Sequence, residues 1–276
     1  MQLEPTGERM IVDEYQASAG DRLIYHLHVE TYRFAQKYTE GKRVLDFGCG
    51  SGYGTAMIAA SAARTIGVDV AADAVAFASD RFGTETLSFQ QVDADGALPF
   101  DDGSFDTVLS FQVFEHVADE QRYLREISRV LTAGGTLLLV TPDRSTRLLP
   151  LQQPWNRWHL REYSDASLKR QLDRVFEGVR ILKMSGDLDT IGMELSRCRR
   201  LKWLSLPFTL PFYPRTLRVA LLNLVHKVKG RPAAKQTSDS NPGSTAARSD
   251  FSSDSVRIGP GLSPSLNLVA IVRKTQ

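Results

Sequence analysis

Val44-Leu45-Asp46-Phe47-Gly48-Cys49-Gly50-Ser51-Gly52-Tyr53-Gly54-Thr55 decides how the rest of this chain is read. Apolar positions run into an acid, then a loop with four glycines, then Ala56-Met57-Ile58-Ala59-Ala60, which has helical composition. The pattern is strand, tight turn, helix. Glycines permit positive φ and let a ligand come close to the main chain. The helix start adds unpaired N–H groups and the positive end of a dipole. At the carboxyl end of a parallel strand, such a turn binds a nucleotide-like ligand. A dinucleotide fingerprint needs glycine at its first, third and sixth positions. Here those are Gly48, Gly50 and Tyr53, so the third glycine is missing. A phosphate-binding P-loop ends in Gly-Lys-Ser/Thr, and no lysine follows. The bland alternative is a glycine-rich turn with no ligand, and the downstream landmarks argue against it.

Those landmarks repeat at each strand end. Arg64–Val70 reads as a second strand, and Asp69 falls about twenty residues past the turn, where a carboxylate accepts from ribose hydroxyls. The competing role for Asp69 is a cap on the helix Ala71–Arg81. Leu87–Val92 is a third strand running into Asp93-Ala94-Asp95, where Asp93 can accept from an adenine amino group or merely close a turn. Phe105–Phe111 carries Phe105, Val108, Leu109 and Phe111, the apolar content of a strand in a parallel sheet covered on both faces. It emerges at Gln112-Val113-Phe114-Glu115-His116-Val117. Helix Glu120–Leu131 carries Tyr123, Leu124, Ile127 and Val130 at helical spacing, with Gly134-Gly135 expected to end it. Thr136–Thr141 is a fifth strand stopped by Pro142. Strand and helix thus alternate from residue 42 to 141, which forces right-handed crossovers and a doubly wound α/β sheet.

The totals fit that reading. A chain of 276 residues, 42% hydrophobic, can bury a full core and suits one α/β domain with appendages. Only two cysteines, Cys49 and Cys198, argue against a disulfide framework and fit a reducing compartment. Cys49 reads as a small packing residue of the turn, with no histidine near it in sequence. Met1 to Gly20 shows no basic-then-apolar signal pattern. No run of about eighteen apolar residues predicts a membrane-spanning helix. Asp21 to Tyr38 reads as a helix capping the cofactor side of the sheet. His26 and His28 lie two apart and so face different sides of it. They read as exposed or packing histidines, and the sequence points to no metal site.

The series VLDFGCGSGYG, GVDV, VDADGALPF, DDGSFDTVLSFQVFEHV and RVLTAGGTLLLVTP resembles the ubiquinone-biosynthesis-like (type 11) class I S-adenosylmethionine (SAM) methyltransferases over most of residues 42–142. TGERM, YRFAQKYTEGKRVLD, the GYG of the turn and SFQVFEH also look like methyltransferases associated with cell-surface polysaccharide and glycolipid biosynthesis. The resemblance implies a Rossmann-like seven-stranded sheet, parallel with an antiparallel last strand, and SAM as cofactor. It implies that Asp46, Gly48 and Gly50 hold the methionine end, Asp69 the ribose, and Asp93 and Ala94 the adenine. Phe111 lies near the cofactor floor, and Cys49 and Val70 belong to the same wall. A sulfonium brings its own leaving group, so alignment of donor and acceptor carries the catalysis and few catalytic side chains are expected. For a hydroxyl acceptor His116 is the candidate base, with His159 second. The alternative for His116 is a helix-start histidine bonded to backbone.

Beyond Pro142, Trp155-Asn156-Arg157-Trp158-His159-Leu160-Arg161 leads into helix Asp165–Val175. The resemblance makes this region part of the acceptor pocket; a loop packing its aromatics on the last helix is the alternative. Gly178–Met184 and Leu266–Arg273 read as strands six and seven, an antiparallel hairpin in this class. Between them lies an insertion that departs from the family pattern. Residues 197–235 hold ten Lys or Arg and no Asp or Glu, in a chain of net charge +2. The expected organisation is an N-terminal loop and capping helix at 1–40, a SAM-binding domain at 41–185 plus 265–276, a basic amphipathic insertion at 186–235, and a disordered linker at 236–264. Basic, aromatic and amphipathic together describe a membrane-surface element, ahead of a lid or a nucleic-acid patch. The expected function is O-methylation of a glycan, glycolipid or lipid-linked acceptor by a cytoplasmic protein peripheral to the inner membrane face. Methylation of a quinone or small molecule with the insertion as a lid, or a non-catalytic SAM-fold binding module, are the alternatives.

Overall fold

The computed structural model describes residues 19–93, 97–228 and 255–275. Helix α1 spans Ala19–Thr39, and β1 (Arg43–Phe47), α2 (Tyr53–Ala59), β2 (Arg64–Asp69), α3 (Ala72–Phe82) and β3 (Leu87–Gln91) follow. Then come β4 (Phe105–Phe111), α4 (Glu120–Val130), β5 (Leu131–Pro142), the short α5 (Arg144–Arg147), α6 (Asp165–Leu172) and β6 (Arg180–Gly186). The chain ends with α7 (Leu188–Ser205), α8 (Arg215–Val228), β7 (Val256–Gly259) and β8 (Asn267–Arg273). The order across the sheet is β3-β2-β1-β4-β5-β8-β6-β7. The first five of these pair in parallel. β8 runs antiparallel to both β5 and β6, and β7 antiparallel to β6.

Alternation along the central strands builds a core on each face. Leu137 and Leu139 of β5 join Val108, Leu124, Ile127, Leu168 and Leu172 under α4 and α6. Leu138 and Val140 join Leu109, Leu23, Leu27, Ile58 and Ile191 under α1, α2 and α7. Leu137, Leu138 and Leu139 are wholly buried, each stabilising the fold by about 2 kcal/mol. Helix α4 is fixed at its start by the Asp119 side chain, which accepts from the Arg122 N–H at 2.9 Å.

Three expectations are corrected. The sheet has eight strands, two of them running against the rest, where seven with one reversed were expected. The extra strand, β7, lies inside the stretch expected as linker, whose residues 236–254 fall outside the described residues. Val256 and Ile258 pack on the α1 side of the core, and β7 covers the outer edge of β6, which would otherwise present unpaired backbone. Helix α4 ends at Val130, before the glycine pair. Leu131 is already extended and wholly buried opposite Phe105, so Gly134 and Gly135 fall within a register shift of β5.

Candidate active site

The glycine loop leaves β1 at the carboxyl edge of the sheet, between β2 and β4. Its first two N–H groups, of Gly48 and Cys49, both donate to the Val68 carbonyl of β2, at 2.7 and 3.0 Å. Gly52, at φ 80°, turns the chain into α2 in a conformation that side chains disfavour. Gly54 lies so close to the Tyr32 ring that a Cβ there would overlap it, which lets α1 and α2 pack in contact. Asp69 ties the loop from the next strand. One carboxylate oxygen accepts from the Gly50 N–H at 2.9 Å, the other from the Ala71 N–H at 3.0 Å.

A cavity of about 680 Å³ opens above these groups. Of the residues expected at the site, Gly48, Cys49, Gly50, Asp69, Val70, Phe111, His116 and His159 all line it. Three do not. Asp93 is exposed just past β3 and is not among the lining residues, and Ala94 lies outside the described residues. Asp46 is wholly buried behind the loop. Leu45 and Phe47 face the α4 side, so strand alternation turns Asp46 toward α1 and α2. There its Oδ2 accepts from Tyr32 at 3.2 Å and Thr55 at 2.7 Å, while Oδ1 is buried with no hydrogen-bond partner among the described residues. Burial pushes its pKa up to about 6 in spite of those two bonds. Burial, aided by Asp46 and Asp69, raises the Cys49 thiol well above its usual range, which fits packing and not nucleophilic attack. Both cysteines are free and buried.

Helix α1 adds residues to the lining that were not expected there, among them His28, expected as an exposed or packing histidine. Ile24, His28 and Tyr32 recur every fourth position on α1 and form one stripe along the cavity, a spacing visible in the sequence. Burial lowers the His28 pKa to about 4, so the ring is neutral near pH 7. Gln112, at the end of β4, has φ 57°, a strained conformation for a residue with a side chain. Its amide donates to Asn267 at 3.3 Å.

The far end of the cavity is built by the chain after β4 and β5. Glu115 and His116 sit in a 3₁₀ turn, Phe114–His116, and Trp155, Trp158 and His159 come from the loop before α6. The His116 and His159 rings meet edge to face, with centroids 4.9 Å apart. The His159 Nδ1 lies 2.9 Å from the Glu162 carboxylate, which also accepts twice from the Arg147 Nε at 3.1 Å. Burial alone would raise the Glu162 pKa; the Arg147 charge and the His159 contact win and hold it below the usual carboxylate range. Arg147 in turn stacks over Trp155 at 4.2 Å. Arg147 and Arg197 line the cavity, and each is paired, with Glu162 and Glu194.

A glycine loop, an acid at the next strand end and one continuous cavity beyond them can take a nucleotide-type ligand at one end and leave room for a second molecule at the other. A model of the methyltransferase domain matches residues 45–139. The chain carries a methyltransferase domain. A Mycolicibacterium smegmatis protein named as a probable SAM-dependent methyltransferase is 34% identical over 61% of this chain and 63% of its own length. A fatty-acid O-methyltransferase of the same organism is 33% identical over 59% of this chain and 57% of its own. The chain thus spans less than two thirds of the length of these curated relatives. A SAM-dependent methyltransferase from Thermotoga maritima shares the fold, with a TM-score of 0.56 at 16% identity over 96% of each chain.

Family and fold imply SAM as the cofactor of the methyltransferase domain. The residues present fit it. Asp69 offers a carboxylate at the β2 end, and Asp46 and Asp69 place two acidic groups on either side of the loop. A sulfonium and an ammonium group are stabilised by nearby carboxylates.

Proposed function

We propose that this protein transfers a methyl group from SAM to an oxygen of a lipid-linked or glycolipid acceptor at a membrane surface. The continuity of the cavity carries the reading: the glycine loop at one end and Trp155, Trp158, His116 and His159 at the other line the same space. SAM supplies the activated methyl when bound. The chain's own residues align and shield. Asp69 and the loop fix the donor end, Phe111 and Val113 form the wall between the ends, and the tryptophans give a sugar or chain an apolar face. His116 stands at the acceptor end, where a base takes the hydroxyl proton.

Two observations support the acceptor class. One matched relative is named for O-methylation of a fatty acid. The insertion also presents Trp203, Leu204, Phe212 and Leu217 exposed among the basic residues Arg199, Arg200, Lys202 and Arg215. No helix among the described residues is long and apolar enough to cross a membrane, so a membrane contact by these helices is peripheral. The test is incubation of purified protein with methyl-labelled SAM and separated lipid and saccharide extracts. Label in an alkali-stable ether or an ester of the lipid fraction is expected. Label confined to water-soluble small molecules, or none at all, overturns the acceptor class.

A further inference from the structure

Glu115, His116 and His159 each bring one metal-ligating atom to within 4.8 Å of the others, in the wall of the cavity. No metal site is legible in the sequence, because His159 lies more than forty residues from the other two. Folding brings them together: the Leu160 N–H donates to the Glu115 carbonyl at 2.9 Å and clamps the two segments.

The partners of these side chains define their chemistry. The Nδ1 of His116 faces the Trp158 carbonyl at 3.3 Å, and the Nδ1 of His159 faces the Glu162 carboxylate at 2.9 Å. Both partners are acceptors. A neutral ring therefore carries its proton on Nδ1 and its lone pair on Nε2. A carboxylate or carbonyl behind the ring is how proteins orient metal-bound histidines. Glu115, 1% exposed, adds a carboxylate, whose Oε2 also accepts from the Thr141 hydroxyl at 2.9 Å. Two imidazoles and a carboxylate thus converge on one point of the cavity wall, a geometry that a positive centre, an added proton or a metal ion, fits.

We propose that Glu115, His116 and His159 bind one divalent transition-metal ion at the acceptor end of the cavity. Two imidazoles and a carboxylate suit a borderline ion such as Zn²⁺, Fe²⁺ or Co²⁺ better than Mg²⁺ or Ca²⁺. Ligands about 2.1 Å from one ion stand about 3 to 4 Å apart, so a small rotation of the side chains closes the site. Three protein ligands leave a position open toward the cavity, as in catalytic sites. The acceptor oxygen fills it. Coordination takes up the His116 lone pair, so in the metal-bound protein His116 is a ligand in place of the base named above. The bound hydroxyl, acidified by the ion, gives its proton to solvent at the cavity mouth. Its oxygen then forms the C–O bond as the C–S bond breaks, and that electron pair stays on sulfur as a neutral thioether. This role rests on the O-methylation reading; the binding of the ion does not.

The experiment uses the full chain, stripped with a chelator and dialysed, and titrated with Co²⁺ and then Zn²⁺. One ion per chain, a visible Co²⁺ absorption band, and its loss on adding Zn²⁺ are expected. His116→Ala, a half-exposed position on a turn, should weaken binding at least tenfold, and Glu115→Gln likewise. Binding of S-adenosylhomocysteine to the same samples reports that each variant is folded and its donor end intact. No stoichiometric ion, no band, or unchanged affinity in a folded His116→Ala protein overturns the site and leaves the added proton. An ion bound as described without methyl transfer to any lipid supports the site and removes only the reaction proposed above.

Discussion

Asp46 is a carboxylate held where water does not reach it. The donated hydrogen bonds from Thr55 and Tyr32 favour its charge, but burial outweighs them and lifts the pKa from 3.8 to about 6. The folded chain therefore holds this proton more tightly than the unfolded one. Its stabilising effect is complete below about pH 4 and is lost as pH rises through 6, a displacement worth about 3 kcal/mol. Asp46→Asn keeps an acceptor for Thr55 and Tyr32 and removes the charge. The variant should gain on the wild type between pH 4.5 and 7.5 in urea unfolding. If the two lose or gain stability in parallel across that range, the buried charge is not the cause. The same residue shows a limit of sequence reading. Its identity and place in the motif were legible, but its direction was not, because that depends on which face of β1 receives α1.

At the scale of elements, the insertion is the scaffold of the loop before α6, the proposed acceptor loop. Gln152 donates to the Lys202 carbonyl and the Thr209 hydroxyl, each at 2.9 Å, and Gln153 to the Leu210 carbonyl at 2.9 Å and the Tyr213 carbonyl at 2.7 Å. Arg218 of α8, 1% exposed, reaches the Pro154 carbonyl at 2.6 Å and the His159 carbonyl at 3.0 Å. Its planar fork spans two carbonyls that a lysine reaches one at a time. Arg218→Ala leaves both carbonyls without that donor, at a cost of roughly 3 kcal/mol. Arg218→Lys should recover only part of it. We expect the acceptor KM to rise about tenfold or more in both variants while the Kd for S-adenosylhomocysteine holds. Equal loss at both ends would mean that the insertion supports the whole domain and not this loop. From the sequence, Arg218 belongs with the polar residues of an amphipathic helix; only the loop packed beneath it explains its burial. The parallel strands and glycine turn were legible because their signals are local: an apolar run, small residues, an acid at the end. Strand β7 was not, since Val256 and Ile258 are two apolar residues in a polar stretch and acquire meaning only from the open edge of β6.

At the scale of the molecule, charge and apolar surface coincide on α7, α8 and the segment that joins them. Trp203 is 60% exposed and Phe212 72%, near Arg199, Arg200, Lys202 and Arg215, which carry no acidic neighbour in sequence from 197 to 235. Exposed aromatics cost free energy in water and recover it at a lipid interface, and each basic residue adds about 1 kcal/mol at an anionic surface. Removing the whole insertion would not test this, because Gln152, Gln153 and Arg218 show that the acceptor loop would fall with it. Trp203→Ser, Leu204→Ser and Phe212→Ser combined change only exposed side chains and spare the fold. Losing three buriable side chains of about 2 kcal/mol each should lower partitioning well over tenfold even if insertion is partial. The measurement is co-sedimentation with phosphatidylcholine vesicles with and without an anionic lipid, at two salt concentrations. The wild type should pellet with anionic vesicles, less at high salt, and the triple variant should stay in the supernatant with its S-adenosylhomocysteine affinity unchanged. Equal pelleting of the two proteins would take α7 and α8 off the membrane and leave them as the support of the acceptor loop.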